Sequence, residues 1–154
     1  MNYRSVLVAV ASVAFVASGT FAQRAADWRT AALSAGAWSY RAVPTGSEAV
    51  FTDTGGTRRM VVRCASATRR VGLSVTSQAP ASSIMVSASE SERTLPARFD
   101  AQGFQIVADL AAQDPLLDAL AMSRGRFAVA VPAGVTLVLP AWPEFARSIE
   151  DCRL

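Results

Sequence analysis

The chain has 154 residues, a formal net charge of +3 and no histidine, and all 15 of its basic residues are arginines. Without histidine or lysine it cannot use Ser-His-Asp or Cys-His nucleophiles, Schiff-base chemistry, histidine-ligated zinc or the lysine of a phosphate-binding loop. The small, scattered excess of positive charge is also too weak for a nucleic-acid-binding surface. We therefore expect no metal, no cofactor and no nucleic-acid partner.

The N-terminal segment has the three parts of a secretory signal. A positive start at Arg4 precedes an apolar run over Val6–Ala17, and small residues lead to Ala22. We expect cleavage after Ala22, which divides the chain into a signal peptide, residues 1–22, and a single β-rich domain, residues 23–154. Retention as a membrane anchor is the alternative, although the apolar run is short for the roughly 18 residues that a span needs. The prediction is export to the periplasm through a Sec-type signal.

The two cysteines, Cys64 and Cys152, are predicted to form a disulfide, because an even count in an oxidising compartment favours pairing. Two hydrophobic patterns support this pairing. Val62 and Cys64 alternate on one face of a predicted strand, while Phe145, Ile149 and Cys152 form one stripe of a predicted helix. Both thiols are therefore expected to face the core. Two free, reactive thiols are the alternative.

Short alternating segments between turn residues predict a mainly β (or α+β) fold, an antiparallel sandwich-like or rolled sheet with two short helices and one disulfide. In chain order the predicted strands are Trp38–Val43, Glu48–Thr52, Arg59–Cys64, Val71–Thr76, Ser83–Ser89, Gly103–Val107, Arg126–Val131 and Val135–Leu139. Turn residues predict hairpins between the second and third strands and between the last two. The stretch Arg93–Asp100 is predicted to be less regular. Val61 breaks the alternation, because it shares a face with Arg59 and Arg63.

Two helices are predicted in the second half of the chain. Asp114-Pro115 is a favourable start, since aspartate accepts hydrogen bonds from free amides at the N-terminus and proline suits the first helical position. Gly125 is predicted to end this helix. The second helix is predicted from Pro143 to Cys152.

The second predicted helix carries Glu150 and Asp151 in its last turn, where the helix dipole disfavours negative charge. We expect a compensating cation. Arg147 is one candidate, and the Ser-Arg-Gly-Arg turn that leads into the seventh predicted strand is another. The favoured prediction is that Arg124 or Arg126 pairs with Glu150 or Asp151.

The one motif with catalytic potential is Asp53-Thr54-Gly55 after a hydrophobic approach, as in an aspartic protease. In such enzymes two of these loops meet, and two carboxylates share one proton. A single copy would require a homodimer of the retroviral type. The same residues form ordinary hairpin turns, and no Ile-Ile-Gly-like flap follows. The turn is the favoured interpretation, and Asp53 remains a weak catalytic candidate.

Other charged residues have weaker catalytic or binding interpretations. Glu90 and Glu92 could be the paired carboxylates of a glycoside hydrolase, but they lie in a polar segment that is typical of a solvated turn. The arginine pairs at 58–59 and 69–70 flank the same predicted strand, one at each end. Solvated turn charges are the favoured interpretation of these pairs, and an anionic ligand is the alternative.

Six segments together resemble a group of small exported proteobacterial proteins of unknown function, over essentially the whole mature chain. They are Gly36–Arg41, Gly46–Phe51, Val62–Cys64, Asp114–Ala121, Ser123–Phe127 and Glu150–Arg153. The Ser-Arg-Gly-Arg-Phe and Glu-Asp-Cys-Arg blocks are the most specific. In layout, the chain is also remotely similar to invasion-associated locus B and VasI-type periplasmic proteins. The resemblance implies a periplasmic β-sandwich-like domain with a packed C-terminal helix, and it supplies no catalytic residues.

These observations predict a non-enzymatic periplasmic binding or accessory module, with a protein of the cell envelope as its partner. Contact with the membrane is expected only through the signal segment, if that segment stays uncleaved. A homodimeric aspartic protease that uses Asp53 is the alternative function.

Overall fold

The computed structural model describes residues 28–132 and 134–154, so the predicted signal peptide and its cleavage site lie outside the described residues. The strands are β1 (Gly36–Val43), β2 (Gly46–Asp53), β3 (Arg58–Ala65), β4 (Arg70–Thr76), β5 (Ser83–Ser87), β6 (Glu92–Pro96), β7 (Arg98–Asp100), β8 (Gln105–Ala111), β9 (Arg126–Ala130) and β10 (Thr136–Pro140). The helices are α1 (Pro115–Ala121) and α2 (Pro143–Glu150). No helix in the described part of the chain is long and apolar enough to cross a membrane.

The strands form two antiparallel sheets, which confirms the predicted fold class. The larger sheet has the order β1-β2-β3-β4-β8-β7, and the smaller has the order β10-β9-β5-β6. Buried side chains of both sheets and both helices belong to one hydrophobic core. The predicted hairpins, β2–β3 and β9–β10, are both present as antiparallel pairs.

The prediction of an irregular segment over Arg93–Asp100 is wrong, because this stretch contains β6 and β7. In β6 only Leu95 is buried, so the alternation that marks a half-buried strand is missing from its sequence. The following strand, β8, is also longer than predicted and continues to Ala111. The part of β8 that was not predicted begins with the buried Ala108, and alanine is a residue type that is depleted in strands.

The first helix begins as predicted and ends earlier. The Asp114 side chain accepts a hydrogen bond from the Leu116 amide at 2.9 Å, which satisfies one of the free amides of the helix N-terminus. The helix ends at Ala121, and Gly125 lies in the following loop with a φ of +77°. Three leucines of α1 are buried in the core: Leu116, Leu117 and Leu120.

The second helix packs against β1, β2 and β3 and carries the predicted apolar stripe. Phe145, Ile149 and Cys152 are all at most 1% exposed. Cys152 forms the predicted disulfide with Cys64 of β3, and the two Cα atoms are 5.2 Å apart. The disulfide therefore joins the end of the chain to the middle of the larger sheet.

Trp38 of β1 connects the two sheets and α2. Its indole Nε1 donates a hydrogen bond to the Pro140 carbonyl of β10 at 2.9 Å, and its ring is 5% exposed. Three phenylalanine rings lie around it, with centroids 5.4 to 6.4 Å away: Phe51, Phe127 and Phe145. Aromatic pairs at such distances add to the stability gained from burial. The core side of the larger sheet is thus closed by the smaller sheet and α2.

Candidate functional site

The outer face of the larger sheet, which points away from the core, carries a row of charged residues. The strand registers align Arg41, Glu48, Arg63, Gly72 and Asp109 across β1, β2, β3, β4 and β8. Charges of alternating sign occupy every position of this row except the one on β4. The glycine on β4 therefore leaves a gap in an otherwise continuous charged row.

The next row on the same face is apolar at three positions. Val50, Val61 and Val107 align across the sheet with Ser74 of β4, and all three valines are less than 10% exposed. Such burial on an outer face is explained by long neighbouring side chains, since arginine stems cover apolar surface while their charged ends stay in water. This row accounts for the position of Val61 among the arginines, which the alternation of β3 left unexplained.

A groove of about 250 Å³ opens over β4 on this face. Gly72 and Ser74 form its floor, and longer side chains of β3 on one side and of β7 and β8 on the other form its walls. The residues that line it are Glu48, Arg58, Val61, Arg63, Ala65, Arg70, Gly72, Ser74, Arg98, Asp100, Gln105, Val107 and Asp109. A Cβ atom on Gly72 would lie 3.4 Å from Oδ1 of Asp109. The missing side chain of Gly72 thus keeps the floor low beside that carboxylate.

Two of the three carboxylates in the groove are fully engaged by the protein. Glu48, whose side chain is 6% exposed, pairs with Arg41 at 2.6 Å and with Arg63 at 3.1 Å. Asp100 accepts hydrogen bonds from the Gln105 side chain and from two backbone amides of the β7–β8 turn. The Gln105 hydrogen bond is the main cause that lowers the pKa of Asp100. These two carboxylates therefore stabilise the sheet and the β7–β8 turn.

Three other charged groups in the groove make no direct polar contact among the described residues, although the charge of Arg98 helps to lower the pKa of Asp100. Among the described residues, the guanidinium groups of Arg58 and Arg98 make no hydrogen bond or salt bridge, nor does the Asp109 carboxylate. Arg70 uses one nitrogen to donate to the backbone carbonyl of Asp109 at 2.9 Å. With four arginines and three carboxylates, the groove carries a small excess of positive charge. It can therefore bind an anionic group without first breaking an ion pair of Arg58 or Arg98.

The arginine pairs at 58–59 and 69–70 are divided by the structure. Arg58 and Arg70 line the groove, whereas Arg59 bonds to Asp53 and Arg69 donates to the backbone carbonyl of Leu154. The register of β2 with β3 shifts beside Thr52, next to the first pair. Such irregularities redirect side chains at the edges of sites. One arginine of each pair is thus available to a ligand.

Asp53 is held in the β2–β3 turn. Its Oδ1 atom accepts hydrogen bonds from the amides of Gly55 at 3.0 Å and Thr57 at 2.8 Å, and Oδ2 lies 3.4 Å from Arg59. The Thr57 amide is the main cause that lowers the pKa of Asp53, and Arg59 adds to it. An aspartic protease needs a carboxyl group that keeps a shared proton. These contacts favour the turn interpretation of Asp53 and give no support to the protease.

The predicted ion pairs of the last helix are wrong. Glu150 pairs with Arg153 at 3.0 Å, and Asp151 accepts a hydrogen bond from the Tyr40 hydroxyl at 2.6 Å. That hydrogen bond raises the pKa of Tyr40. Arg124 instead pairs with Glu90, and the Arg126 guanidinium donates to the carbonyl of Ala31. The compensating cation for Glu150 is Arg153, three residues further along the chain, which also binds Asp118 of α1.

The Ser-Arg-Gly-Arg loop has a structural role that the sequence did not reveal. The Ser123 hydroxyl accepts a hydrogen bond from the Ser89 amide at 3.0 Å and donates to the Arg126 carbonyl. The Arg124 amide donates to the Ser89 hydroxyl at 2.9 Å. The loop thereby fastens the β5–β6 turn to the start of β9. No sequence pattern indicated that these two loops meet.

Glu90 and Glu92 contact different partners and do not form a pair of carboxylates. Glu90 pairs with Arg124 at 3.3 Å on the exposed surface, whereas Glu92 accepts a hydrogen bond from the Ser87 hydroxyl at 2.8 Å. Glu90 lies in the β5–β6 turn, whereas Glu92 begins β6 and contacts its cross-strand partner on β5. Within the described residues, no group of three or more acidic, cysteine or histidine side chains is placed to hold a metal ion.

Sequence reasoning missed several residues of the groove, namely Glu48, Gly72, Ser74, Arg98 and Asp109. Val61 was the sequence signal that could have indicated the groove. A valine on the strand face that also carries Arg59 and Arg63 indicates that this outer surface is partly covered. Comparison of the chain with protein-family models, curated proteins and solved structures finds no match. Function is therefore inferred from the groove and from the chain's own chemistry.

Proposed function

We propose that the protein is an exported, disulfide-stabilised binding module without catalytic activity, and that its ligand binds in the groove over β4. The observation that carries this proposal is that, among the described residues, the guanidinium groups of Arg58 and Arg98 make no hydrogen bond or salt bridge and lie beside a partly apolar surface. Concave sites that combine apolar walls with a few convergent polar groups are typical of ligand binding. The valines supply the apolar part, and the arginines supply the polar groups.

Export is supported by the N-terminal pattern and by the disulfide. Residues 1–22 have the order of charge, apolar run and small residues of a cleavable signal. Stable disulfides belong to oxidising compartments such as the periplasm, and the Cys64–Cys152 disulfide is buried. The resemblance to small exported proteobacterial proteins, proposed from the Ser-Arg-Gly-Arg-Phe and Glu-Asp-Cys-Arg blocks, is consistent with the same location.

Export is tested by expressing the full chain with a C-terminal tag in a Gram-negative host and separating the cell fractions. We expect a periplasmic product whose intact mass corresponds to cleavage after Ala22. A matched variant, Ala22→Arg, should accumulate uncleaved protein, because signal cleavage needs a small residue at that position. Full-length protein in the cytoplasm with the wild-type sequence would contradict the proposed export.

Ligand binding is tested by native mass spectrometry of the protein recovered from the periplasm. We expect an adduct of a small molecule on the wild type that is lost in the double variant Arg58→Gln/Arg98→Gln. Arg124→Gln is the matched control, because the Arg124 side chain is 84% exposed and does not line the groove. An adduct that survives the double variant, or that is lost equally in the control, would place the ligand elsewhere.

The protease alternative is tested separately with Asp53→Asn. The asparagine keeps an oxygen that can accept the hydrogen bonds of the turn amides, so the hairpin should form. We expect no proteolysis of casein between pH 3 and pH 6 by either protein. Proteolysis by the wild type that disappears in the variant would establish the protease and overturn the binding proposal.

A further inference from the structure

We propose that the groove binds the C-terminal end of a short, extended peptide, with the terminal carboxylate between Arg58 and Arg98. The inference rests on the proposed function and adds the chemical class of the ligand. Its three supports are the direction of the groove, the placement of the free charged groups and the small total charge.

The direction of the groove suits an extended chain. Its floor follows β4 from Gly72 to Ser74, and its wall on β8 runs from Asp109 to Gln105. Four residues of a strand cover about 13 Å. A tripeptide in extended form spans roughly 10 Å, since each residue adds up to about 3.5 Å. Two or three peptide residues can therefore lie along the groove.

The free guanidinium groups stand at one end of the groove and on opposite walls. Arg98 on β7 lies in the same cross-strand row as Ser74, because both residues pair with Val107 of β8. Arg58 belongs to β3, and its carbonyl accepts a hydrogen bond from the Thr76 hydroxyl, two residues beyond Ser74 on β4. Guanidinium groups bind carboxylates with strong, charge-assisted hydrogen bonds. A carboxylate at this end would be bound from both sides.

The rest of the groove matches the backbone and side chain of a peptide. The Asp109 carboxylate leans over the floor, because a Cβ atom on Gly72 would lie 3.4 Å from its Oδ1 atom. It has no partner among the described residues and can accept a hydrogen bond from a peptide amide. Val61 and Val107, on either side of Ser74, can contact an apolar side chain between the two ends.

The total charge of the groove favours a ligand with a single carboxylate over a polyanion. Four arginines face three carboxylates, and the Arg63 guanidinium already binds Glu48. A polyphosphate or a nucleic acid would bring its further charges close to Asp109 and Asp100, which would oppose binding. One carboxylate at Arg58 and Arg98 leaves the charges of the groove nearly balanced.

The probe is the synthetic peptide N-acetyl-Ala-Ala-Val as its free acid, and the matched control is the same peptide as its C-terminal amide. Isothermal titration calorimetry measures both with the protein recovered from the periplasm. We expect the free acid to bind at least about ten-fold more tightly than the amide, because charge-assisted hydrogen bonds are stronger than neutral ones. Acetate and inorganic phosphate alone should bind more weakly than the peptide acid.

Variants locate the peptide in the groove. Arg58→Gln and Arg98→Gln should each weaken binding of the acid about ten-fold and leave the weak binding of the amide unchanged. Arg124→Gln should change neither. Gly72→Val should abolish binding by filling the floor, whereas Gly72→Ala, whose Cβ atom meets only ordinary contacts, should reduce it less. Circular dichroism and thermal unfolding of each variant confirm that it is folded.

Equal affinity for acid and amide would overturn the proposal, and so would no binding at millimolar peptide. Binding of phosphate or acetate as tight as that of the peptide acid would show recognition of a bare anion and contradict the peptide. The proposed function fails independently. If native mass spectrometry shows an adduct that needs Arg58 and Arg98 but the peptide does not compete with it, the binding module stands and the peptide assignment falls.

Discussion

The two faces of the larger sheet are made by the same strands and differ in almost every property. In β3, Val62 and Cys64 point inward and are fully buried, whereas Val61 and Arg63 point outward. The inner face is closed by the smaller sheet, α2 and a disulfide. The outer face is open, and the side chains of Arg58, Arg98 and Asp109 make no hydrogen bond or salt bridge among the described residues. Alternation along one strand thus separates residues that stabilise the fold from residues that are available to a ligand.

The two faces also differ in the kind of interaction that holds them. On the inner face, burial of large side chains and the disulfide dominate, and each contributes several kcal/mol. On the outer face, ion pairs between exposed groups contribute about 0–1 kcal/mol. Substitutions on the inner face should therefore change stability, while those on the outer face should change binding. Four predictions test that difference, in order of expected effect.

Replacing both cysteines, Cys64→Ala with Cys152→Ala, should have the largest effect on stability. The disulfide closes a loop across 88 positions of sequence, and removal of native disulfides from small exported domains costs about 2–5 kcal/mol. Urea unfolding of the wild type and the variant measures this loss. Dithiothreitol should destabilise the wild type and leave the variant unchanged. A loss below about 1 kcal/mol would contradict a major stabilising role of the disulfide.

Two adjacent valines of β3 should respond differently to truncation. Val62→Ala removes two methyl groups from a fully buried site and leaves a cavity, so we expect a loss of about 2–3 kcal/mol. Val61→Ala opens onto the groove, where water can enter, and should cost about 1 kcal/mol. Chemical denaturation of both variants provides the measurement. Equal losses would show that the outer face is as closed as the inner one.

Glu48→Gln should destabilise the protein by about 1 kcal/mol, because it leaves Arg41 and Arg63 without their shared carboxylate. Both arginine side chains are more than half exposed, so water can solvate them. Asp109→Asn is the control on the same face; it has no ion pair and should stay within about 0.5 kcal/mol of the wild type. Thermal unfolding at low salt distinguishes the two. A larger loss of stability in Asp109→Asn than in Glu48→Gln would contradict the stabilising role assigned to Glu48.

Asp53→Asn should have the smallest effect, visible only in acid. The pKa of Asp53 is lowered in the folded protein, mainly by the Thr57 amide, so the unfolded chain takes up the proton first as the pH falls. Its contribution to stability is present above about pH 4 and is lost as the pH falls through the folded-state pKa. The variant should therefore lose less stability in acid. Parallel curves of unfolding free energy against pH would contradict this role.

Much of the fold could be predicted from the sequence, because alternation and helix periodicity are strong where one face is buried. The disulfide followed from two such patterns, which placed Cys64 and Cys152 on inward faces. The strand β6 was missed because only Leu95 is buried in it. The prediction for the helix charges overlooked Arg153, which binds Glu150 three residues away, and it could not include Tyr40, which reaches Asp151 only through the tertiary fold.

The groove could be predicted only in fragments. Arg58 and Arg70 each belong to a pair of adjacent arginines in the sequence, and an anionic ligand was one interpretation of these pairs. Arg98 was hidden in a segment that showed no strand pattern. Gly72 gave no signal of its own, since its role depends on the register that places it between Arg63 and Asp109. Such cross-strand relations are fixed by sheet order, which the sequence did not reveal.

The central claim is that the outer face of the larger sheet is the ligand-binding surface. Backbone-amide NMR of the ¹⁵N-labelled protein, titrated with the low-molecular-mass fraction of the periplasm, tests it most directly. The account predicts shifts concentrated at Gly72, Ser74, Arg98 and Val107. They should be lost in Arg58→Gln/Arg98→Gln. Shifts confined to the smaller sheet, or the same shifts in the double variant, would contradict it.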